Sequence, residues 1–145
     1  MNVAAGTEAK LAEFVAAQNA VYDSVWCELK AGRKETHWIW FIFPQMAGLG
    51  SSFMSQKFGI ASKAEAERYL AHAVLGPRLR ECTQWMLSAP GRDIASILGH
   101  PDDLKFRSSM TLFAAAAPKE PLFEAALEKF FGGERDPITT RLLQP

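Results

Sequence analysis

The 145-residue chain has two cysteines, three histidines, no net charge, and no apolar stretch approaching the ~20 residues of a membrane span. Each shortage removes a class of function. Cys27 and Cys82 stand singly among apolar residues, without the paired spacing of a zinc site, a redox motif or a disulfide framework, and read as reduced core thiols. His37, His72 and His100 share no i,i+3 or i,i+4 relation with one another or with a cysteine, so no metal site is expected. Sixteen basic residues balance sixteen acidic ones. That excludes a general nucleic-acid or anionic-membrane binder, whose affinity rests on a surplus of Lys and Arg over phosphates, but leaves a local basic cluster free to hold one phosphate. The first residues lack the basic, apolar, small-residue succession of a signal peptide. With unpaired thiols, the expected location is a reducing cytoplasm.

There is also no internal repeat, low-complexity tract or linker. A hydrophobic content of 48% is ample for one core, so a single domain over residues 1–145 is expected. Gly and Pro cut the chain into about seven short helices, an all-α fold. Thr7 is the expected N-cap of a first helix whose stripe (Leu11, Phe14, Val15, Tyr22, Val25, Trp26, Leu29) ends near Gly32. Gln18 lies on that stripe and must either brace a loop or face a polar pocket. Ser62-Lys63-Ala64-Glu65 has capping-box spacing, and Gly76-Pro77 starts a helix over Arg78–Ser88. Asp93 and Gly99 bracket a short turn from Ile94 to Leu98. Pro101 opens a helix towards Phe113 whose apolar positions fit a 3.6 period only loosely. Pro121 and Gly132-Gly133 bracket another helix, and Asp136-Pro137 starts the last.

Two dense patches stand out. The first is His37-Trp38-Ile39-Trp40-Phe41-Ile42-Phe43-Pro44-Gln45, followed by the loop Gly48-Leu49-Gly50-Ser51-Ser52. Its aromatics suit a strand or a buried helix. A strand lacks a convincing partner elsewhere, so a helix from about Glu35 to Phe43 is preferred. The second patch, Asp102 to Thr111, packs two acids, two bases and three hydroxyls into ten residues. Clustered hydroxyls disfavour a helix interior and are not needed for packing, so Lys105, Arg107, Ser108, Ser109 and Thr111 are candidate ligand contacts. The bland alternative for Asp102 and Lys105 is an i,i+3 surface ion pair. Gly48, Gly50 and Ser51 offer N–H and hydroxyl groups to an anion. The loop lacks the ending of a phosphate-binding P-loop and the strand-to-helix setting of a dinucleotide fingerprint, so a simple turn is its default reading and no cofactor is expected.

In order along the chain, Gly32-Arg33-Lys34 running into His37-Trp38, Trp40 to Gln45, Gly48-Leu49-Gly50, Leu75-Gly76-x-Arg78-Leu79, and Lys105-x-x-Ser108-Ser109-Met110-Thr111-Leu112-Phe113 resemble domain-of-unknown-function family 1810, from about Phe14 to Leu143. Its members are bacterial proteins often labelled calpastatin, and the resemblance implies no established activity. A calpastatin is extended and disordered, whereas this composition is that of a packed domain. The chain departs from the family pattern at Ala73 and Phe58, where proline and tyrosine are usual. Glu35-Thr36-His37-Trp38 is also faintly similar to the NAD- and ADP-ribose-associated small helical N-glycosidases, but their later Asp-x-x-Trp-Gly motif has no counterpart here.

These readings give three expectations. The first is binding of a small phosphate-bearing or nucleotide-like ligand where the two patches meet: Lys105 and Arg107 would hold the anion, Trp38 would stack, and Gln45 and the hydroxyls would anchor. In that site His37 would orient the ligand or transfer a proton. The second is an interaction module using exposed tryptophans. The third is N-glycosidase-like hydrolysis, with Glu35 or Asp102 stabilising the developing positive charge.

Overall fold

The computed structural model describes residues 3–144, among which nine helices and no strand occur. The fold is all-α, as expected, and its buried apolar side chains form a continuous core. The helices are α1 (Val3–Ala31), α2 (Ile39–Ile42), α3 (Phe53–Lys57), α4 (Lys63–Ala71), α5 (Leu75–Ser88), α6 (Ile94–Leu98), α7 (Asp102–Ala116), α8 (Pro121–Phe131) and α9 (Pro137–Leu143).

The punctuation residues do the work their chemistry suggests. Ser52, Ser62, Asp93 and Asp136 each accept the N–H three residues on, from Ser55, Glu65, Ser96 and Thr139. Such a cap is worth about 1 kcal/mol. Gly132 closes α8 in the left-handed conformation. Thr7, by contrast, is not a cap. α1 begins at Val3 because alanines carry the helix back past it, and the Thr7 hydroxyl reaches Glu65 instead, at 3.5 Å. α5 likewise starts at Leu75, ahead of Pro77.

The aromatic run is helical for only one turn, shorter than the expected Glu35–Phe43. Glu28, near the end of α1, holds the preceding segment by accepting from Glu35 N, Thr36 N, the Thr36 hydroxyl and Trp38 Nε1 at 2.5–3.0 Å. Pro44 follows as an expected stop. Gln18 braces the same segment from α1, donating to Phe41 O at 2.7 Å and to Tyr69 Oη at 3.0 Å.

α7 runs through the middle, packed against α4, α6, α8 and α9. Ser108 to Ala114 are consecutively buried, which explains the loose periodicity: a helix covered on most sides has no polar stripe. The loop after α2 is pinned by an isolated parallel bridge between Met46 and Ile60, with Ala47 N to Ile60 O at 2.8 Å and Ile60 N to Gln45 O at 2.9 Å. The approach is so close that a Cβ on Gly59 would lie 2.7 Å from Ala47 Cα. The bridge closes a loop carrying the Gly48–Ser52 segment and α3, and sets it beside α7.

Candidate functional site

A chain of alternating charges and rings joins the two patches. Lys34 Nζ lies 5.0 Å from the Trp38 ring and 2.8 Å from Asp102 Oδ2. Asp102 Oδ1 is 3.3 Å from Lys105 Nζ, which stands 5.1 Å over the Trp40 ring. One carboxylate thus serves two ammonium groups and leaves a net positive charge, with the Lys105 side chain 24% exposed.

Lys105 lines a cleft of about 270 Å3 with Gln45, Gly50, Ser55, Ser108 and Asp136, walled by Leu49, Pro101, Leu104 and Ile138. Gly50 has no room for a side chain, since its Cβ would fall 2.6 Å from Ser55 Oγ. The hydroxyls are polarised in opposite senses. Ser108 spends its proton on Leu104 O at 3.1 Å and shows lone pairs, whereas Ser55 accepts from Ser52 Oγ at 2.8 Å and keeps its own proton free. Asp136 is buried. Its Oδ2 caps α9 through Thr139, and its Oδ1 lies 3.6 Å from Arg107. Beneath the cleft, Gln45 and Ser55 also border a small void with Trp40, whose buried Nε1 has no hydrogen-bond partner among the described residues.

Of the ligand contacts expected from sequence, Gln45, Gly50, Lys105 and Ser108 meet at this cleft, while Gly48 and Ser51 are exposed on the loop away from it. Thr111 is committed to structure, donating to Arg107 O at 2.8 Å and accepting from Asp136 N at 3.0 Å. Arg107 is tied to Asp136, and Ser109 is fully buried with no hydrogen-bond partner for its hydroxyl among the described residues. Trp38 is not a stacking platform. It is fully enclosed, its N–H is held by Glu28, and the tryptophan beside Lys105 is Trp40. Trp38, Phe41 and Phe43 are all core, so of the aromatic run only half-buried Trp40 reaches the surface.

Glu35 and His37 are exposed before α2, and neither they nor Asp102 lines the cleft. The carboxylate that does is Asp136, which the sequence offers only as a helix cap. Ser55 and Lys34 were missed, although the excess of serine through Ser51, Ser52 and Ser55 was a signal for the first. Trp38 and Trp40, two residues apart, cannot face the same way on a helix, so one is core and the other is free to reach a ligand face. The exposed role falls to Trp40 and not to Trp38. Among the described residues no three His, Cys, Asp or Glu side chains gather as a metal site would require.

An all-α domain with a small, mostly apolar cleft carrying a few polar anchors, between a glycine loop and a buried central helix, is the class these features define. The chain belongs to the family described as protein of unknown function (DUF1810), which matches residues 8–143. It is similar to a solved structure, the crystal structure of the conserved hypothetical protein Rv1873 from Mycobacterium tuberculosis. The two share 53% identity and a TM-score of 0.90, over 92% of this chain and 95% of that one. No curated protein matches it. No described helix is long and apolar enough to cross a membrane.

Proposed function

We propose that the cleft binds a small phosphate-bearing, nucleotide-like ligand. The observation that supports this is the convergence of Lys105 and Ser108 from α7 with Gln45 and Gly50 from the loop. Lys105 takes the anion, helped by the free Ser55 proton. Ser108 lone pairs and the Asp136 carboxylate repel an anion and accept from hydroxyls, so a sugar points their way. At about 270 Å3 the cleft falls just below the ~300–1,000 Å3 of drug-sized sites. It therefore encloses a sugar phosphate, while any base lies outside against Leu104 and Ile138, which are 44% and 52% exposed. Binding is favoured over hydrolysis because neither Glu35 nor Asp102 lines the cleft, and the carboxylate that does, Asp136, is engaged by Thr139 and Arg107.

The test is thermal denaturation of the full chain with ribose 5-phosphate, nucleoside monophosphates and ADP-ribose. A ligand at 100 times its Kd stabilises the fold by about 2.7 kcal/mol. Lys105→Met removes a charge-assisted contact of about 1.5–3 kcal/mol, weakening binding roughly 10–100-fold. Folded protein that responds to none of these ligands, or a Lys105→Met variant that binds as tightly as the parent, refutes the reading.

A further inference from the structure

A second concavity, of about 330 Å3, shares no residue with the cleft. It lies where the ends of α1 and α5 meet α6. Leu29, Trp85, Ala89, Pro90 and Ile97 make its wall apolar, Ser88 contributes a hydroxyl, and Lys30 is the charged group on its lining. Trp26 stands beside it, 42% exposed, with Lys30 Nζ 4.4 Å over its ring and its own ring 6.3 Å from that of Trp85. The two indole planes meet at 71°, edge to face, so Trp85 supplies the aromatic surface of the pocket and Trp26 stands as an exposed edge beside it.

The charge of the ligand follows from what is already neutralised. Two helix C-termini favour a cation by themselves, but here several of their carbonyls already have donors. Lys129 Nζ sits 2.7 Å from Leu87 O and 2.6 Å from Ala89 O, while Gly32 N and Arg33 N take Leu29 O and Glu28 O. The ion pairs among the described residues involve Lys10, Lys34, Arg80, His100, Lys105, Arg107 and Arg135. Lys30, on the lining, is in none of them. The uncompensated charge of this pocket is positive, on an apolar and aromatic floor.

We infer that this pocket is a binding site for a small planar aromatic carboxylate, with the ring against Trp85, Pro90 and Ile97 and the carboxylate on Lys30. The occupant has one or two rings, since the floor is a single indole wide. It stands independently of the sugar-phosphate cleft.

The experiment is calorimetric titration of the full chain with 2-naphthoate, 2-naphthamide and 2-naphthylmethylamine, alongside NMR of the four tryptophan indole N–H groups. The expected result is saturable binding of the naphthoate at least tenfold tighter than the amide or the amine, with shifts at Trp26 and Trp85 but not at Trp38. Lys30→Met, a change at an exposed residue, weakens naphthoate about tenfold and leaves the amide unchanged. The inference is overturned by the amine binding best, by the amide equalling the acid, by the absence of saturation, or by shifts confined to Trp40. That last pattern assigns the acid to the other cleft.

Discussion

Replacing Glu28 tests whether one buried carboxylate holds the aromatic segment in place. The residue is 9% exposed. Its Oε1 accepts from Glu35 N, Thr36 N and Trp38 Nε1 at 2.6, 2.9 and 3.0 Å, and its Oε2 from the Thr36 hydroxyl at 2.5 Å. Burial by itself would raise the Glu28 pKa. The hydrogen bonds from Thr36, Glu35 and Trp38 outweigh it and hold the carboxyl below its usual range. Glu28→Gln keeps an oxygen for the three N–H groups but makes those bonds neutral, at ~0.5–1.5 rather than ~1.5–3 kcal/mol each, and the shared acceptor makes the losses less than additive. A net cost of about 2 kcal/mol follows, or roughly 8 °C in Tm at ~4 °C per kcal/mol for a chain of this size. Glu28→Ala leaves the donors unpaired, including the fully buried Trp38 indole, and costs about 4 kcal/mol, a large share of the ~5–15 kcal/mol that holds a domain. The pH dependence has a definite sign. A folded-state pKa below the unfolded ~4.3 gives stability that is complete above that value and lost as pH falls through the folded pKa. The gap between parent and Glu28→Gln in urea denaturation is therefore full at neutral pH and narrows in acid, where the protonated acid resembles the amide. A neutral-pH gap under ~0.5 kcal/mol, or one that stays constant into acid, refutes the argument.

Gly76→Ala puts a Cβ 2.1 Å from Leu70 O, where α5 crosses the end of α4. Backbone must move to admit it, so a loss of about 3 kcal/mol is expected by denaturant titration, and a change below ~0.5 kcal/mol contradicts the crossing. The cysteines should react separately. Cys27 is exposed, whereas Cys82 is buried and its thiol is pushed up to about 12, chiefly by that burial. A thiol reagent at mild alkaline pH should therefore modify Cys27 in the native protein and Cys82 only on unfolding. Equal rates for both refute the enclosed setting of Cys82.

Helix boundaries were legible where a side chain acts on its own backbone. Ser62, Asp93 and Asp136 cap as their positions indicate, because a hydroxyl or carboxylate reaching the N–H three residues on is a local matter. The failures are long-range. Nothing near Thr36 in sequence reveals that Glu28 will claim its N–H and hydroxyl and leave the aromatic run a single helical turn. The five-residue α3 escaped notice because it depends on the Met46–Ile60 bridge to hold its loop against the core.

The candidate site was legible as composition and illegible as geometry. Hydroxyls crowded onto α7 pointed to this helix, yet they meet quite different fates. Thr111 ties α7 to α9, Ser108 faces the cleft with its proton already spent, and Ser109 is sealed in the core. A serine that back-bonds to its own helix cannot be told from one that awaits a ligand until its surroundings are known. The charges behave alike. The Asp102–Lys105 pair follows from i,i+3 spacing, but that reading makes the pair neutral. Only Lys34, brought to within 2.8 Å of Asp102 by the fold, restores a net positive charge beside Lys105. The electrostatic case for an anion thus rests on a contact between the segment before α2 and the start of α7. Because the Glu28 hydrogen bonds hold that segment, the proposed anion binding would depend on the same few residues that stabilise the fold, and Glu28→Gln should weaken both.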